Sequence, residues 1–586
     1  MSNKLTYLIA GALLIVMFIS AFTSYQGDST TMDELAHIPA GYSYLSQQDF
    51  RINPEHPPLV KDMAALPLLR LDLNFPDKNQ QYWEGINEQW WFGSELLYKS
   101  GNDIEPILFW ARLPMVLILI LLGGFLFFWV RELAGNKAGL LALAIFSFSP
   151  TFLAHGRLVT TDVAAALGVV MATYFWLKFL EYPSKKNVIL AGIIFGIVML
   201  FKFSLILLVP FFAAITIVYA FLRYKERGLK KLFSGLVKYA ILALIVAAIG
   251  AFVIWPVYQY HVANYPIEKQ VSDTKSLLSS SPIPTMKNLC IWMAQKPLFR
   301  PWAHYLLGLL MATQRTAAGN TVYFMGMISA SGWWYYFPTV YFLKVPLAFH
   351  ILTLIALLWA VYLIKKPFWH KPFSRVVNWL RDHFAEFSMM VFILIYWTTS
   401  LIGSLNIGVR HVLPTFPFIY ILVTLGIINL IKAKKQMSIL LIILMVWYIS
   451  SSLLTWPHYL SYFNEVVDGS NNGYKYVVDS NYDWGQDLKR LNRWLGQNDI
   501  DIIYVDYFGG SDAGYYLGEK YRGWRGDSSP QDFPKGNYLA ISATFLQGGR
   551  GNPAPDFNQP TGYYRWLDNH EPITRIGKSI FVYYIE

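Results

Sequence analysis

The chain has 586 residues, of which 55% are hydrophobic and 15% charged, with a formal net charge of +11. Soluble domains carry about 25% charged residues, so this composition excludes an ordinary soluble fold and indicates a polytopic membrane protein. The cations gather in short connections between apolar runs, which argues against nucleic acid as a partner, and the single cysteine, Cys290, excludes an intramolecular disulfide and any cysteine-based metal cluster.

A membrane helix needs about 20 mostly apolar residues. About eleven stretches qualify in chain order: 5–24, 107–130, 138–154, 162–180, 187–201, 204–222, 236–255, 340–364, 386–405, 411–431 and 437–455. The first follows Met1–Lys4 directly and lacks a small-residue cleavage pattern, so it reads as a membrane helix rather than a cleaved signal. Five connections are basic. They carry Arg131 and Lys137; Lys178, Lys185 and Lys186; Arg223 to Lys231; Lys365, Lys366, Lys371 and Arg375; and Lys432, Lys434 and Lys435. The inward bias of Lys and Arg places all five in the cytoplasm. The N-terminus is then inside, and the segments 25–106, 256–339 and 456–586 are outside. The setting is a plasma (inner) membrane.

The expected organisation is a transmembrane domain, 1–455, followed by an extracytoplasmic domain, 456–586. The 25–106 loop should hold short helices on the membrane surface, at Leu59–Leu71 and Asn87–Lys99. The 256–339 loop has aromatic clusters of interfacial type, such as Trp333-Trp334-Tyr335-Tyr336. The last segment reads as a helix (Gly485–Leu495) and strands (Asp501–Tyr507, Tyr538–Ala543 and Ser579–Ile585), a small α/β domain.

The first outer loop concentrates the chemistry. Thr31-Met32-Asp33-Glu34 fits a capping box, and its acids suit a first helical turn. A carboxylate there can also accept the proton of an attacking hydroxyl, with its neighbour tuning it. His56-Pro57-Pro58-Leu59-Val60-Lys61 makes a stiff corner, read either as structure with a snorkelling lysine or as a phosphate-binding cation. Asp162 opens a membrane helix on the outer face, with His155 and Arg157 just before it, and capping or function accounts for it equally well. Lys202, Arg410 and His411 put cations on the translocated face, against the inward bias. Convergence on a lipid-headgroup phosphate would explain them. In Tyr482-Asp483-Trp484-Gly485-Gln486-Asp487, a cap with an amphipathic helix is the favoured reading, and a sugar contact through Asp483 and Trp484 is the sharper one.

The run Met32-Asp33-Glu34-Leu35-Ala36-His37-Ile38-Pro39-Ala40-Gly41, with Asn53-Pro54-Glu55-His56-Pro57-Pro58-Leu59, resembles the first outer loop of protein O-mannosyltransferase-like enzymes. These are C-type glycosyltransferases, in a family that includes the lipid A aminoarabinose transferases. Gly332-Trp333-Trp334-Tyr335-Tyr336-Phe337-Pro338, Asn406-Ile407-Gly408-Val409-Arg410-His411 and Asp479-Ser480-Asn481-Tyr482-Asp483-Trp484-Gly485-Gln486-Asp487 look like a bacterial branch of that group. The resemblance implies an all-α membrane fold of that type and a polyprenyl-phosphate-linked sugar as donor. It also implies Asp33 as catalytic base beside Glu34, and Asp162 as the second outer acid. Lys61 and, more loosely, Arg410 would meet the donor phosphate, with His56, Arg157 and Lys202 as further candidates. Trp333, Trp334, His411, Asp483 and Trp484 are candidate acceptor or sugar contacts. The acceptor is a glycan, a lipid or a protein, and the absence of the three-lobed lumenal insert of the eukaryotic relatives weakens the protein option.

The implied reaction is a single inverting displacement that needs no metal, although Asp33 and Asp162 could hold a divalent ion. The rival class is a transporter or lipid flippase. Against it, the ionisable residues crowd the outer loops rather than the bilayer midplane.

Overall fold

The computed structural model describes residues 2–364 and 372–586. Lys365, Lys366 and Lys371 of the fourth basic connection lie outside the described residues.

Among the described residues nine helices are long and apolar enough to cross a membrane: Asn3–Ser24, Ile104–Ala134, Asp162–Glu181, Phe203–Arg227, Leu229–His261, Leu347–Ile364, Phe384–Ile402, Val409–Ala433 and Met437–Thr455. Two expected spans are not among these nine. The 138–154 stretch breaks into Asn136–Ser147 and Pro150–His155. Pro150 disfavours helical backbone at Ser149, which is extended (φ −73°, ψ 113°) and caps the second piece through its side chain. The 187–201 stretch is the helix Lys185–Met199. At 1.5 Å per residue its 15 residues reach roughly 22 Å, short of a hydrocarbon core of about 30 Å. The expected 340–364 span is likewise divided at Pro346, into Tyr336–Lys344 and Leu347–Ile364.

The spans are apolar on their outer surface too. Phe252, Ile402 and Leu454 are 74%, 80% and 86% exposed, the inverse of a water-soluble protein. Polar side chains are buried instead around the 25–106 loop, where Met32–Gln47 forms a helix. The expected surface helices follow as Leu59–Ala65 with a 3₁₀ turn to Arg70, and Gln89–Ser94 with a π turn to Lys99.

The C-terminal segment builds eight strands' worth of pairing together with the 256–339 loop. That loop supplies β1 (Val322–Phe324) and β2 (Met327–Ser329). The C-terminal segment supplies β3 (Ile503–Asp506), β4 (Tyr521–Gly523), β5 (Asn537–Ser542), β6 (Asn552–Pro553), β7 (Thr574–Ile576) and β8 (Ile580–Ile585). Five of these make one sheet in the order β4-β3-β5-β8-β7, parallel from β4 to β5 and antiparallel from β5 to β7. The helix Leu488–Gln497 covers it through Leu488, Leu491 and Leu495. β6 pairs in parallel with β2, so the C-terminal domain is stitched to the 256–339 loop. The protein is therefore a mostly helical polytopic membrane protein with a small C-terminal α/β domain.

Candidate functional site

The site is built on the first turn of the Met32–Gln47 helix. Glu34 accepts the Thr31 backbone N–H at 2.9 Å and the Thr31 hydroxyl at 3.0 Å, which completes the expected capping box. The same carboxylate is held by Arg112, Nε to Oε1 at 2.8 Å and a terminal nitrogen to Oε2 at 2.6 Å, and by the Val159 N–H at 3.1 Å. Arg112 also donates to the carbonyls of Tyr25, Asp28 and Ser29. Burial by itself raises the Glu34 carboxyl, and Arg112 outweighs it, so the group stays ionised below its ordinary value. Glu34 is fully buried and turned away from solvent, so it anchors the helix rather than meeting a substrate.

Asp33 points the other way. Its Oδ2 accepts from Arg410 at 2.5 Å, and Oδ1 has no partner among the described residues. Burial raises this carboxyl and the Arg410 charge more than compensates, with His37 adding to the lowering, so it too sits below its ordinary value. Arg410 lies over the Trp484 ring at 4.3 Å and 3.7 Å from Asp162. Asp162 in turn pairs with Lys202 at 2.5 Å. Four ionised groups thus alternate in sign: Asp33, Arg410, Asp162 and Lys202.

Asp33, Arg410 and Lys202 border a cavity of about 860 Å³, whose walls also include His37, His56 and Asp479, while Asp162 pairs with two of them without lining it. His411 and Trp484 line it as well. The His411 ring stacks on Phe337 at 5.2 Å, and His56 meets His37 edge to face at 5.2 Å. Burial and the surrounding cations hold His56 well below the ordinary imidazole value. At the far end Arg315 pairs with Glu55 at 2.9 Å. Among the described residues no group of three or more His, Cys, Asp or Glu is placed to hold a metal ion.

Several expected site residues lie elsewhere. The Lys61 ammonium is enclosed, donating to the Tyr44 hydroxyl at 3.0 Å and to the carbonyls of Asn53 and His56 at 2.9 and 3.0 Å. Burial pushes it down to about 7. It ties the Pro-rich corner together and does not reach the cavity. Arg157 is buried against Asp28 at 3.0 Å. Asp483 is buried and accepts the backbone N–H of Thr544 at 2.8 Å; burial pushes it up to about 7. The Trp333 ring packs on Phe324 at 5.3 Å and Trp334 is 70% exposed, and neither lines the cavity.

Two wall residues escaped the sequence reading although both sit inside quoted motifs. Asp479 itself adopts a left-handed backbone (φ 54°), and burial pushes its carboxyl up to about 6 against the pull of Arg410. His37 lies one helical turn after Asp33 on the same face, a spacing visible in the sequence.

Three further motifs meet beneath the cavity. Gly408, at φ 100°, packs against Ser480 and Asn481, where a β-carbon would fall 2.7 Å from the Ser480 hydroxyl. Val409 donates to Asn481 at 2.9 Å, Ser480 to the Ile407 carbonyl at 2.8 Å, and Asn481 to the Tyr336 hydroxyl at 3.1 Å. The segment carrying Arg410 is thereby fixed by the C-terminal segment.

Fold and site together define a polytopic membrane protein with a charged cavity under a C-terminal α/β domain. Residues 101–258 match the family described as dolichyl-phosphate-mannose-protein mannosyltransferase, a stretch that lies between the motifs on which the resemblance was read. No curated protein matches the chain. Among solved structures, the chain is similar to the oligosaccharyltransferase of Archaeoglobus fulgidus in its apo form, at 12% identity and a TM-score of 0.45, covering 88% of this chain. It spans 60% of the length of that enzyme. It is also similar to ArnT of Cupriavidus metallidurans bound to undecaprenyl phosphate, at 12% identity and a TM-score of 0.33, covering 100% of this chain and 98% of that one.

Proposed function

We propose that the protein is a membrane glycosyltransferase that moves a sugar from a polyprenyl-phosphate carrier to an acceptor hydroxyl on the extracytoplasmic side. The observation that carries this reading is that the free Oδ1 of Asp33 and the cations Lys202 and Arg410 border one cavity. The match of residues 101–258 to a family described by a dolichyl-phosphate-linked sugar supports the carrier class.

In this scheme Asp33 Oδ1 takes the proton of the acceptor hydroxyl. The oxygen attacks the anomeric carbon on the face opposite the phosphate, the C–O bond to the phosphate breaks, and the configuration inverts. Lys202 gives one of its three N–H donors to Asp162 and has two left for the departing phosphate. Arg410 keeps Asp33 ionised and aimed, which is why it is assigned to the base rather than to the phosphate. The scheme requires no metal. The transferred unit is a hexose or pentose, and the acceptor a glycan, lipid or protein. The N-terminus is cytoplasmic, the chain sits in the plasma (inner) membrane, and the domains 1–455 and 456–586 divide as transferase and extracytoplasmic cover.

Transfer of radiolabelled sugar from polyprenyl-phosphate donors, in membranes carrying wild type or Asp33→Asn, tests the reading. Transfer by wild type and its loss in a folded variant is the expected result. Equal transfer by both would return Asp33 to an ion-pairing role alone.

A further inference from the structure

Helix Met32–Gln47 presents two hydrogen-bond acceptors to the cavity, and the reaction above uses only one. The second is the imidazole of His37, whose ring lines the cavity. Its Nδ1 lies 3.0 Å from the Val159 carbonyl oxygen. A carbonyl oxygen only accepts, so Nδ1 carries the hydrogen of the neutral ring. The lone pair is then on Nε2. No group among the described residues bonds Nε2, and it is not among the sealed, unpartnered atoms of the interior. Burial holds the ring below its ordinary imidazole value, against the pull of Asp33, which keeps it neutral at physiological pH.

The partner Nε2 lacks is therefore a hydrogen-bond donor from a ligand. Its position narrows the choice. Asp33 and His37 are four residues apart on one helix face, and so about one turn, roughly 5–6 Å, apart. His56 adjoins His37, with ring centroids 5.2 Å apart. In an in-line displacement the ring being transferred lies between the nucleophile at the base and the phosphate at its cations. A group one turn from the base, on the wall shared with Lys202 and Arg410, faces that ring.

We infer that His37 Nε2 accepts a hydrogen bond from a hydroxyl of the transferred sugar, making His37 a specificity-determining residue of the donor site. The inference rests on the glycosyltransferase reading. A sugar lacking that hydroxyl leaves Nε2 unpaired in a confined site, and sites built to bond a hydroxyl discriminate strongly against analogues that lack it.

Two conservative variants separate this role from simple anchoring. The amide of Asn reaches the place of Nδ1, and the amide of Gln reaches the place of Nε2. His37→Asn keeps the bond to Val159 and loses the acceptor in the cavity; His37→Gln does the reverse. The expected result, in the radiolabelled transfer assay, is a loss of transfer in the Asn variant of about tenfold or more, with the Gln variant retaining the larger share. The opposite order overturns the inference and leaves the glycosyltransferase reading standing.

A second measurement needs no turnover. Diethyl pyrocarbonate acylates a free imidazole nitrogen, and peptide mass spectrometry reads His37 separately from His56. Purified protein is modified with undecaprenyl phosphate, and with a panel of polyprenyl-phosphate hexoses and pentoses. Protection of His37 by a sugar-bearing lipid beyond that given by undecaprenyl phosphate supports the inference, even if no transfer is detected and the proposed reaction fails. Equal protection by bare and sugar-bearing lipids, or none by either, overturns it.

Discussion

Asp33 and Glu34 are neighbours in the chain with opposite surroundings. Glu34 spends all its lone pairs on Thr31, Arg112 and Val159, and Asp33 keeps one oxygen for the cavity. The adjacent pair is legible in the sequence, but the division of labour is not, because the helix turns consecutive residues about 100° apart and only packing decides which side is wet. The pH dependence follows from Arg410. In the proposed scheme the ionised form of Asp33 is the base, and it is lost as pH falls through the folded value, which lies below the ordinary 3.8. Wild-type transfer is therefore expected to show no acid limb from Asp33 between about pH 5 and 8. In Arg410→Gln the effect of burial is opposed only by His37, the Asp33 carboxyl rises, and an acid limb moves upward in the pH–rate profile; an unshifted profile would detach Arg410 from the base. For the leaving phosphate, Lys202→Gln is expected to lower the transfer rate by about a hundredfold or more, read as kcat in the same assay.

Elements are held in place by buried charges. The Met32–Gln47 helix is tied to the Ile104–Ala134 span by Glu34 and Arg112, both essentially inaccessible. Removing one partner of such a pair leaves an uncompensated charge and costs about 3–5 kcal/mol. Glu34→Gln is accordingly expected to lower the thermal unfolding midpoint in detergent, and a variant with wild-type stability would refute the anchoring role. The sequence left Lys61 open between a snorkelling cation and a phosphate ligand, and the structure places it inside its own loop. Composition cannot distinguish a snorkelling cation from an enclosed one, since that depends on where Tyr44, Asn53 and His56 come to rest. Lys61→Met removes the donor from the Asn53 and His56 carbonyls and should cost about 1–3 kcal/mol of stability. Its effect on transfer should then follow the folded fraction, not the donor KM.

The molecule is assembled so that the C-terminal segment completes the membrane site. Asp479, Trp484 and Phe508 line the cavity, and Arg490 reaches Asp28 in the first loop at 2.8 Å. Gly510 lies against the Thr31 carbonyl so closely that a β-carbon would fall 2.2 Å from it. Since that neighbour is backbone at the start of the Asp33 helix, Gly510→Ala must push the two apart. The expected outcome is a loss of transfer, with increased protease sensitivity of the C-terminal segment. Unchanged transfer would mean that the contact does not position Asp33.

The sequence by itself determined the apolar spans, the small α/β domain and the loop that bears the acids. Hydrophobic run length, alternation and capping chemistry are local, and they survive into the structure with boundary shifts where Pro150 and Pro346 interrupt the helices. Only the tertiary structure decided which ionisable groups share the cavity. Asp33, Lys202, Arg410 and Asp479 come from four separate segments, and Lys61, Arg157 and Asp483, equally prominent in the chain, are enclosed elsewhere. Charge type is written in the sequence, but solvent access and the nearest opposite charge are set by long-range packing, and these two quantities decide whether a buried charge anchors the fold or remains free to act.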